Sequence, residues 1–247
     1  GIAHNGGTPI LPIYSTFLQR AYDQIINDLC INNSNALILI YRASIYGNKD
    51  MTHLGFNDIT MLSNMPNLMY LAPTTVEELE SSIRYGVEHH NHPIAIRIPV
   101  GSPIYETSQS NTTGCPVTSC NITQSGNTIA IIGVGNFYHK AVELSHAIHD
   151  AIHISPTLVK PLCISSLDTD TLNELTKNHN IVITLEDGEL EGGYGQKIAS
   201  YYGKTSMNVL NYGISKQFYD RYNPEDVLQQ NHLDFEHILD DIQNIQH

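Results

Sequence analysis

The sequence predicts an α/β protein of two domains, each a mainly parallel sheet flanked by helices. Three observations carry this. Short apolar runs alternate with helix-like segments in a β-α-β rhythm. Runs such as NALILIY (35–41) show no polar alternation, as expected of a parallel strand covered on both faces. The rhythm breaks once, over residues 101–127 (GSPIYETSQSNTTGCPVTSCNITQSGN), which are rich in Ser, Thr, Asn and Gly and have little periodicity. The expected division is a first domain over 1–106, a connection over 107–127 with room for a short strand, and a second domain over 128–247. A chain of 247 residues supplies ample core for this arrangement.

In the first domain, PILPIY (9–14), NALILIY (35–41), NLMYLAP (67–73) and PIAIRIPV (93–100) read as strands. A helix from about residue 15 should bury Leu18, Tyr22, Ile25 and Leu29 on one stripe and present Phe17, Arg20, Gln24 and Asp28 on the next. The segment 74–90 reads as a helix opened by a capping box of Thr75 with Glu78, burying Val76, Leu79, Ile83 and Val87. In the second domain, TIAIIGVG (128–135), TLVKPL (157–162), NIVITLEDG (180–188) and MNVLNYG (207–213) read as strands. Segment 136–152 reads as a helix, and 233–245 as a closing amphipathic helix.

The formal charge of −13 argues against nucleic acid or an anionic membrane as the main partner, while leaving room for a local basic pocket that takes a small phosphate. No stretch approaches the roughly 18 uninterrupted apolar residues of a membrane span. The start, GIAHNGGTPI, has no basic segment followed by an apolar run, so no secretory signal is expected. Cys30, Cys115, Cys120 and Cys163 are irregularly spaced and read as unpaired thiols of a cytoplasmic protein. His146, His149 and His153 at helical spacing, and the cluster His89, His90 and His92, have no converging carboxylate or cysteine. They read as solvated faces, so no metal site is expected.

Four segments bear on chemistry. GVGN (133–136) lacks the third glycine of a dinucleotide loop, since Tyr138 stands there, and reads as a tight turn. EDGELEGGYG (186–195) reads as a strand-to-helix turn whose glycines serve positive φ. His53 lies in a loop-like stretch (41–56) after a buried strand, with Arg42 at its start and Asp50 nearby. It is either a proton shuttle or a structural loop histidine. In YSTFLQRAYDQ (14–24), Tyr14 and Phe17 beside Arg20 suit a flat heterocycle next to an anion. The alternative pairs Arg20 with Asp23 or Asp28 on a surface helix.

The runs PIYSTFLQRAYDQIINDL, RASIYG…THLGF, LAPTTVEE and PIAIRIPVG, followed by VKPL, ITLEDGELEGGYG and VLNYG, resemble the 1-deoxy-D-xylulose-5-phosphate synthase family. These are thiamine-diphosphate enzymes of the transketolase superfamily. The resemblance covers nearly all of the chain in order and implies a transketolase-type pyrimidine-binding domain followed by a transketolase-type C-terminal domain. It implies that Tyr14 and Phe17 flank the cofactor's aminopyrimidine and that Arg20 and Arg42 bind the phosphate of glyceraldehyde 3-phosphate. His53, with Asp50 beside it, would handle protons or bind the pyruvate-derived intermediate. The implied reaction joins pyruvate to glyceraldehyde 3-phosphate, giving 1-deoxy-D-xylulose 5-phosphate and CO2 for isoprenoid synthesis. A homodimer is implied too, because C-terminal domains of this type help build one.

Departures from the family pattern bear on these roles. Val100 stands where most members carry a second phosphate-binding arginine, a loss worth about 1.5–3 kcal/mol of affinity. Lys49 stands where they carry an aspartate, with Asp50 one place later, and Tyr41 replaces the aspartate before Arg42. Family members also carry a diphosphate-binding domain with a GDG…N motif for Mg²⁺, and a glutamate that activates the aminopyrimidine. Both precede the point where this sequence begins. The expected chain is therefore the part that holds only the pyrimidine end of thiamine diphosphate, inactive until a diphosphate-binding domain joins it. Two alternatives stand beside this: a non-catalytic dimerisation or regulatory module of the same fold, and the β-type subunit of a split transketolase or 2-oxoacid dehydrogenase.

Overall fold

The computed structural model describes residues 1–45, 50–88, 92–101 and 118–246. Lys49, Cys115, His89 and His90 lie outside the described residues. Two sheets organise the chain. The first holds β1 (Ile10–Tyr14), β2 (Leu37–Tyr41), β3 (Met69–Leu71) and β4 (Ile94–Arg97) in the order β1-β2-β4-β3, all parallel. The second holds β5 (Cys120–Gln124), β6 (Thr128–Gly133), β7 (Thr157–Pro161), β8 (His179–Glu189) and β9 (Asn208–Ile214) in the order β5-β7-β6-β8-β9. Only β5 runs antiparallel, at one edge; it is the short strand for which the expected connection left room. The apolar runs map onto strands as expected: Leu37, Ile38 and Ile40 of β2, and Ile129, Ala130, Ile131 and Ile132 of β6, are fully buried.

The helical segment after β1 is wound differently from the expected helix. Ser15–Ala21 is a 3₁₀ helix, α1 (Tyr22–Gln24) is a single α turn, and Ile25–Cys30 is π-wound. In the tight first part, positions three apart stack, so Ser15 and Leu18 bury together. In the wide last part the period lengthens to five, and Ile25 and Cys30 bury. Tyr22, expected in the core, is left 40% exposed by the change of winding.

Helix α2 (Asp58–Leu62) follows the His53 loop and α3 (Val76–Glu88) joins β3 to β4. The face α3 buries most deeply is Glu78, Ser82 and Gly86, with Leu79 and Ile83 only half-buried beside it. Gly86 packs closely there: a Cβ would lie 2.8 Å from a Leu37 methyl, which would have to shift. Half of the expected capping box forms, the Glu78 N–H donating to Thr75 Oγ1 at 3.2 Å. The Glu78 carboxylate instead accepts from the Thr74 N–H and hydroxyl, both at 2.8 Å, and pairs with Lys160 of β7 at 2.5 Å. In the second domain, α4 (Phe137–Ile152), α5 (Thr169–Leu175), α6 (Tyr194–Tyr202), α7 (Pro224–Gln230) and α8 (Phe235–Gln246) cover the sheet.

One seam joins the two sheets. Past β7 the chain forms a bridge with β3: the Ala72 N–H donates to Leu162 O and the Ile164 N–H to Tyr70 O, each at 2.8 Å. A single apolar cluster runs across the seam, with Ile38, Leu62 and Tyr70 on one side and Ile132, Val159 and Tyr194 on the other. Within it sits a buried charge cluster. Arg97 of β4, 2% exposed, donates from Nε to Asp58 Oδ2 at 2.8 Å and from Nη1 to Asp187 Oδ1 of β8. Asp58 also accepts from the Tyr70 hydroxyl, and the second oxygen of Asp187 accepts from Asn136 Nδ2 at 2.9 Å. Burial alone would make Arg97 easier to deprotonate, but Asp187 and Asp58 outweigh it and hold the guanidinium more firmly protonated than usual.

GVGN is a turn, whereas in EDGELEGGYG residues 186–189 continue β8 and only 190–193 turn, with Gly192 (φ +77°) alone of its glycines at positive φ; both segments do more than connect. Gly135 is at φ +53°, and Asn136 uses its side chain to receive the Val100 N–H at 2.8 Å while binding Asp187. Glu186, fully buried, accepts the Tyr194 and Gly195 N–H groups at 2.9 Å each, capping the start of α6. Burial raises its pKa to about 7, against the two amide bonds that lower it. The folded chain therefore holds this proton more tightly than the unfolded one. The stabilisation is fully present below about pH 4.5, the ordinary value of a free glutamate, and is lost as pH rises through about 7. The loss is of order 3 kcal/mol. Denaturant midpoints measured from pH 4.5 to 8 are expected to fall more steeply for the wild-type chain than for Glu186→Gln; parallel curves would refute the assignment.

Candidate functional site

The site forms at the carboxyl ends of β1 and β2, where ligands usually bind in open α/β sheets. Parallel pairing places Tyr14 opposite Tyr41, so Arg42, the next residue, reaches across Tyr14. Its guanidinium carbon lies 5.1 Å from the Tyr14 ring centroid, a cation–π distance. Arg42 is held at φ +54°, in the left-handed region that costs a non-glycine residue. Gly55 braces this turn: Ser44 and Gly55 form a bridge, and a Cβ on Gly55 would lie 2.0 Å from Arg42 O.

Tyr14 and Phe17 stack with centroids 5.7 Å apart and planes 21° from parallel, and His53 meets Phe17 edge-on at 5.6 Å. The 3₁₀ winding of Ser15–Ala21 swings Phe17 back over Tyr14. Tyr14 is 40% and Phe17 49% exposed, so this chain leaves the aromatic ledge open. Arg20 is exposed on the same winding and pairs with neither Asp23 nor Asp28; Asp23 takes a bond from Asn27 instead, at 2.6 Å. Its guanidinium makes no ion pair or hydrogen bond among the described residues.

The structure brings Tyr14, Phe17, Arg42 and His53 into one chain of contacts. Asp50 joins it by a different route from a histidine–carboxylate pair. Its carbonyl accepts the His53 N–H at 2.8 Å, while its carboxylate receives Arg221 Nε at 3.1 Å, from the second domain. His53 Nδ1 lies 3.0 Å from the Thr52 hydroxyl, and the Thr52 carbonyl accepts from Thr16 Oγ1 at 2.9 Å, tying the loop to the helix that bears Phe17. Val100 is seated at the seam through its N–H bond to Asn136.

The open ledge suits a flat heterocycle, which can stack on the rings while a guanidinium stands beside it. Among the described residues no group of three or more His, Cys, Asp or Glu side chains is placed to hold a metal ion. None of the helices there is long and apolar enough to cross a membrane. Sequence reading missed Arg221 and the Arg97–Asp58–Asp187 cluster. The second had a signal: ionisable residues set inside apolar strands, Arg97 in PIAIRIPV and Glu186–Asp187 in NIVITLEDG.

The two mainly parallel sheets flanked by helices are those of a transketolase-type protein, and family comparison agrees. Residues 1–102 match the transketolase pyrimidine-binding domain and residues 118–238 the transketolase C-terminal domain. The chain belongs to the transketolase family. Within it, the relatives it matches include 1-deoxy-D-xylulose-5-phosphate synthases. That of Alkaliphilus oremlandii is 34% identical over 98% of this chain, and that of Clostridium acetobutylicum 35% identical over 96%. The chain spans 39% and 38% of those proteins' lengths. A solved structure described as a split gene transketolase, inactive beta4 tetramer, superposes with a TM-score of 0.83 over 98% of this chain and 77% of its own. At 20% identity it speaks to the fold.

Proposed function

We propose that this chain is the pyrimidine-binding and C-terminal portion of a 1-deoxy-D-xylulose-5-phosphate synthase, condensing pyruvate with glyceraldehyde 3-phosphate once a diphosphate-binding domain completes the site. The carrying observation is the open Tyr14–Phe17 ledge with Arg42 over one ring and His53 at the edge of the other. Tyr14 and Phe17 hold the aminopyrimidine of thiamine diphosphate. Bound there, the cofactor supplies the acidic thiazolium carbon at which a 2-oxo acid loses CO2. Arg20, with no competing carboxylate among the described residues, and Arg42 receive the acceptor's phosphate by charge-assisted hydrogen bonds. His53 moves protons at the reacting centre, and Asp50 fixes the histidine's backbone. Mg²⁺ and the diphosphate belong to the domain supplied upstream or in trans, and the working unit is a cytoplasmic homodimer.

The test is turnover of pyruvate and glyceraldehyde 3-phosphate with thiamine diphosphate and Mg²⁺. It is run on this chain alone and mixed with the N-terminal part of the Alkaliphilus oremlandii synthase. Turnover is expected only in the mixture. Arg20→Ala and His53→Ala are each expected to reduce it about a hundredfold. If both variants leave the mixture's rate unchanged, the second reading replaces the first: a non-catalytic dimerisation or regulatory module. Val100 and Tyr41, where the family pattern has an arginine and an aspartate, favour that reading. Turnover with a ketose phosphate donor and an aldose phosphate acceptor, and none with pyruvate, would point to the β-type subunit of a split transketolase.

A further inference from the structure

We propose that Arg221, on the C-terminal domain, is a positioning residue for His53; the proposal rests on the reading of His53 as the site's proton-handling group. The loop bearing His53 is gripped on both flanks by the second domain. On one flank, Leu54 and Phe56 are buried in the apolar core built on β6, β8 and β9, with Ile131, Ile183 and Tyr212. The Phe56 carbonyl accepts the Glu189 N–H at 2.9 Å, and its ring meets Tyr219 edge-on at 5.6 Å. On the other flank the core is met at Ile45, but Asp50 and Met51, just before His53, are exposed. There Arg221 binds the Asp50 carboxylate, and the Asp50 carbonyl in turn takes the His53 N–H.

The segment presenting Arg221 is itself built firmly. Asn231 Oδ1 accepts the Ser215 N–H at 2.7 Å, Asn231 Nδ2 donates to the Tyr219 hydroxyl at 3.1 Å, and that hydroxyl also meets Ser215 Oγ at 2.7 Å. Arg221 sits at φ +45°, a left-handed conformation that a non-glycine residue adopts only where its surroundings hold it. An exposed ion pair contributes little to folding. At this place it decides the orientation of a loop whose other end is already fixed. The imidazole between them rests against Phe17.

The readout that needs no catalysis is proton NMR of the full chain. The His53 ring C–H signals, assigned by their loss in His53→Gln, lie in the ring current of Phe17. In Arg221→Ala they are expected to move toward the positions of an unstacked histidine. Arg221→Lys should keep them near wild type, and Lys216→Ala, which removes a separate surface pair with Glu191, should leave them unmoved. In the complemented assay, Arg221→Ala is expected to lower kcat about tenfold with the acceptor KM held. Signals that stay in place in Arg221→Ala overturn the proposal whatever turnover does, as does a rise in KM alone. Signals that move in a chain that never turns over sustain the positioning role and overturn the catalytic reading instead.

Discussion

Arg97→Ala is expected to lower the melting temperature of the chain by about 10 °C. The substitution leaves Asp58 and Asp187 facing each other without their shared cation, both buried at 1% exposure or less. Removing one partner of a buried ionic cluster costs roughly 3–5 kcal/mol, far more than the cluster's net worth relative to an apolar packing. At about 2–4 °C per kcal/mol for a chain of this size, that sum sets the shift. Arg97→Lys keeps the charge but cannot reach both carboxylates in a fork, and should fall between wild type and alanine. Differential scanning calorimetry decides it: a melting temperature within about 2 °C of wild type for Arg97→Ala would mean that the carboxylates do not depend on the guanidinium.

Gly55→Ala is the second large effect expected. The added methyl would stand 2.0 Å from the Arg42 carbonyl oxygen and 3.2 Å from that of Ser44, and neither is a side chain that can swing away. The end of β2 has to move, at a cost of about 1–3 kcal/mol, and Arg42 leaves the Tyr14 ring with it. Gly203→Ala is the matched control, because the nearest atom to its Cβ would be 3.4 Å away. Its denaturation midpoint should stay close to wild type. Equal midpoints for the two variants would show that Gly55 carries no such constraint.

How far the sequence reaches is clearest where one rule governs one segment. Leu37, Ile38 and Ile40 of NALILIY bury in a parallel strand because their side chains are wholly apolar, and the same holds for Ile129, Ile131 and Ile132 of TIAIIGVG. The ledge residues Tyr14, Phe17 and His53 were legible because they fall within short, specific family motifs. The winding of residues 15–30 was not legible. Its apolar spacing fits an α-helix, and only packing of Ile25 and Cys30 into the core selects the wider turns. The deep face of α3 was hidden for a related reason. Glu78 looks like a capping residue until Lys160, 82 positions later, arrives on β7. Asp50 was placed beside His53 by proximity in sequence, yet its carboxylate turns to Arg221, 171 positions away. Charges choose partners by three-dimensional neighbourhood, which periodicity does not encode.

The apolar cluster that crosses the seam has a lasting consequence for this chain. Cutting it between the sheets would leave each half with an oily scar where Tyr70 or Tyr194 had been covered; Arg97 would keep only Asp58 on one piece, and Asp187 would be left without its cation on the other. Neither piece would hold its shape as well as the whole.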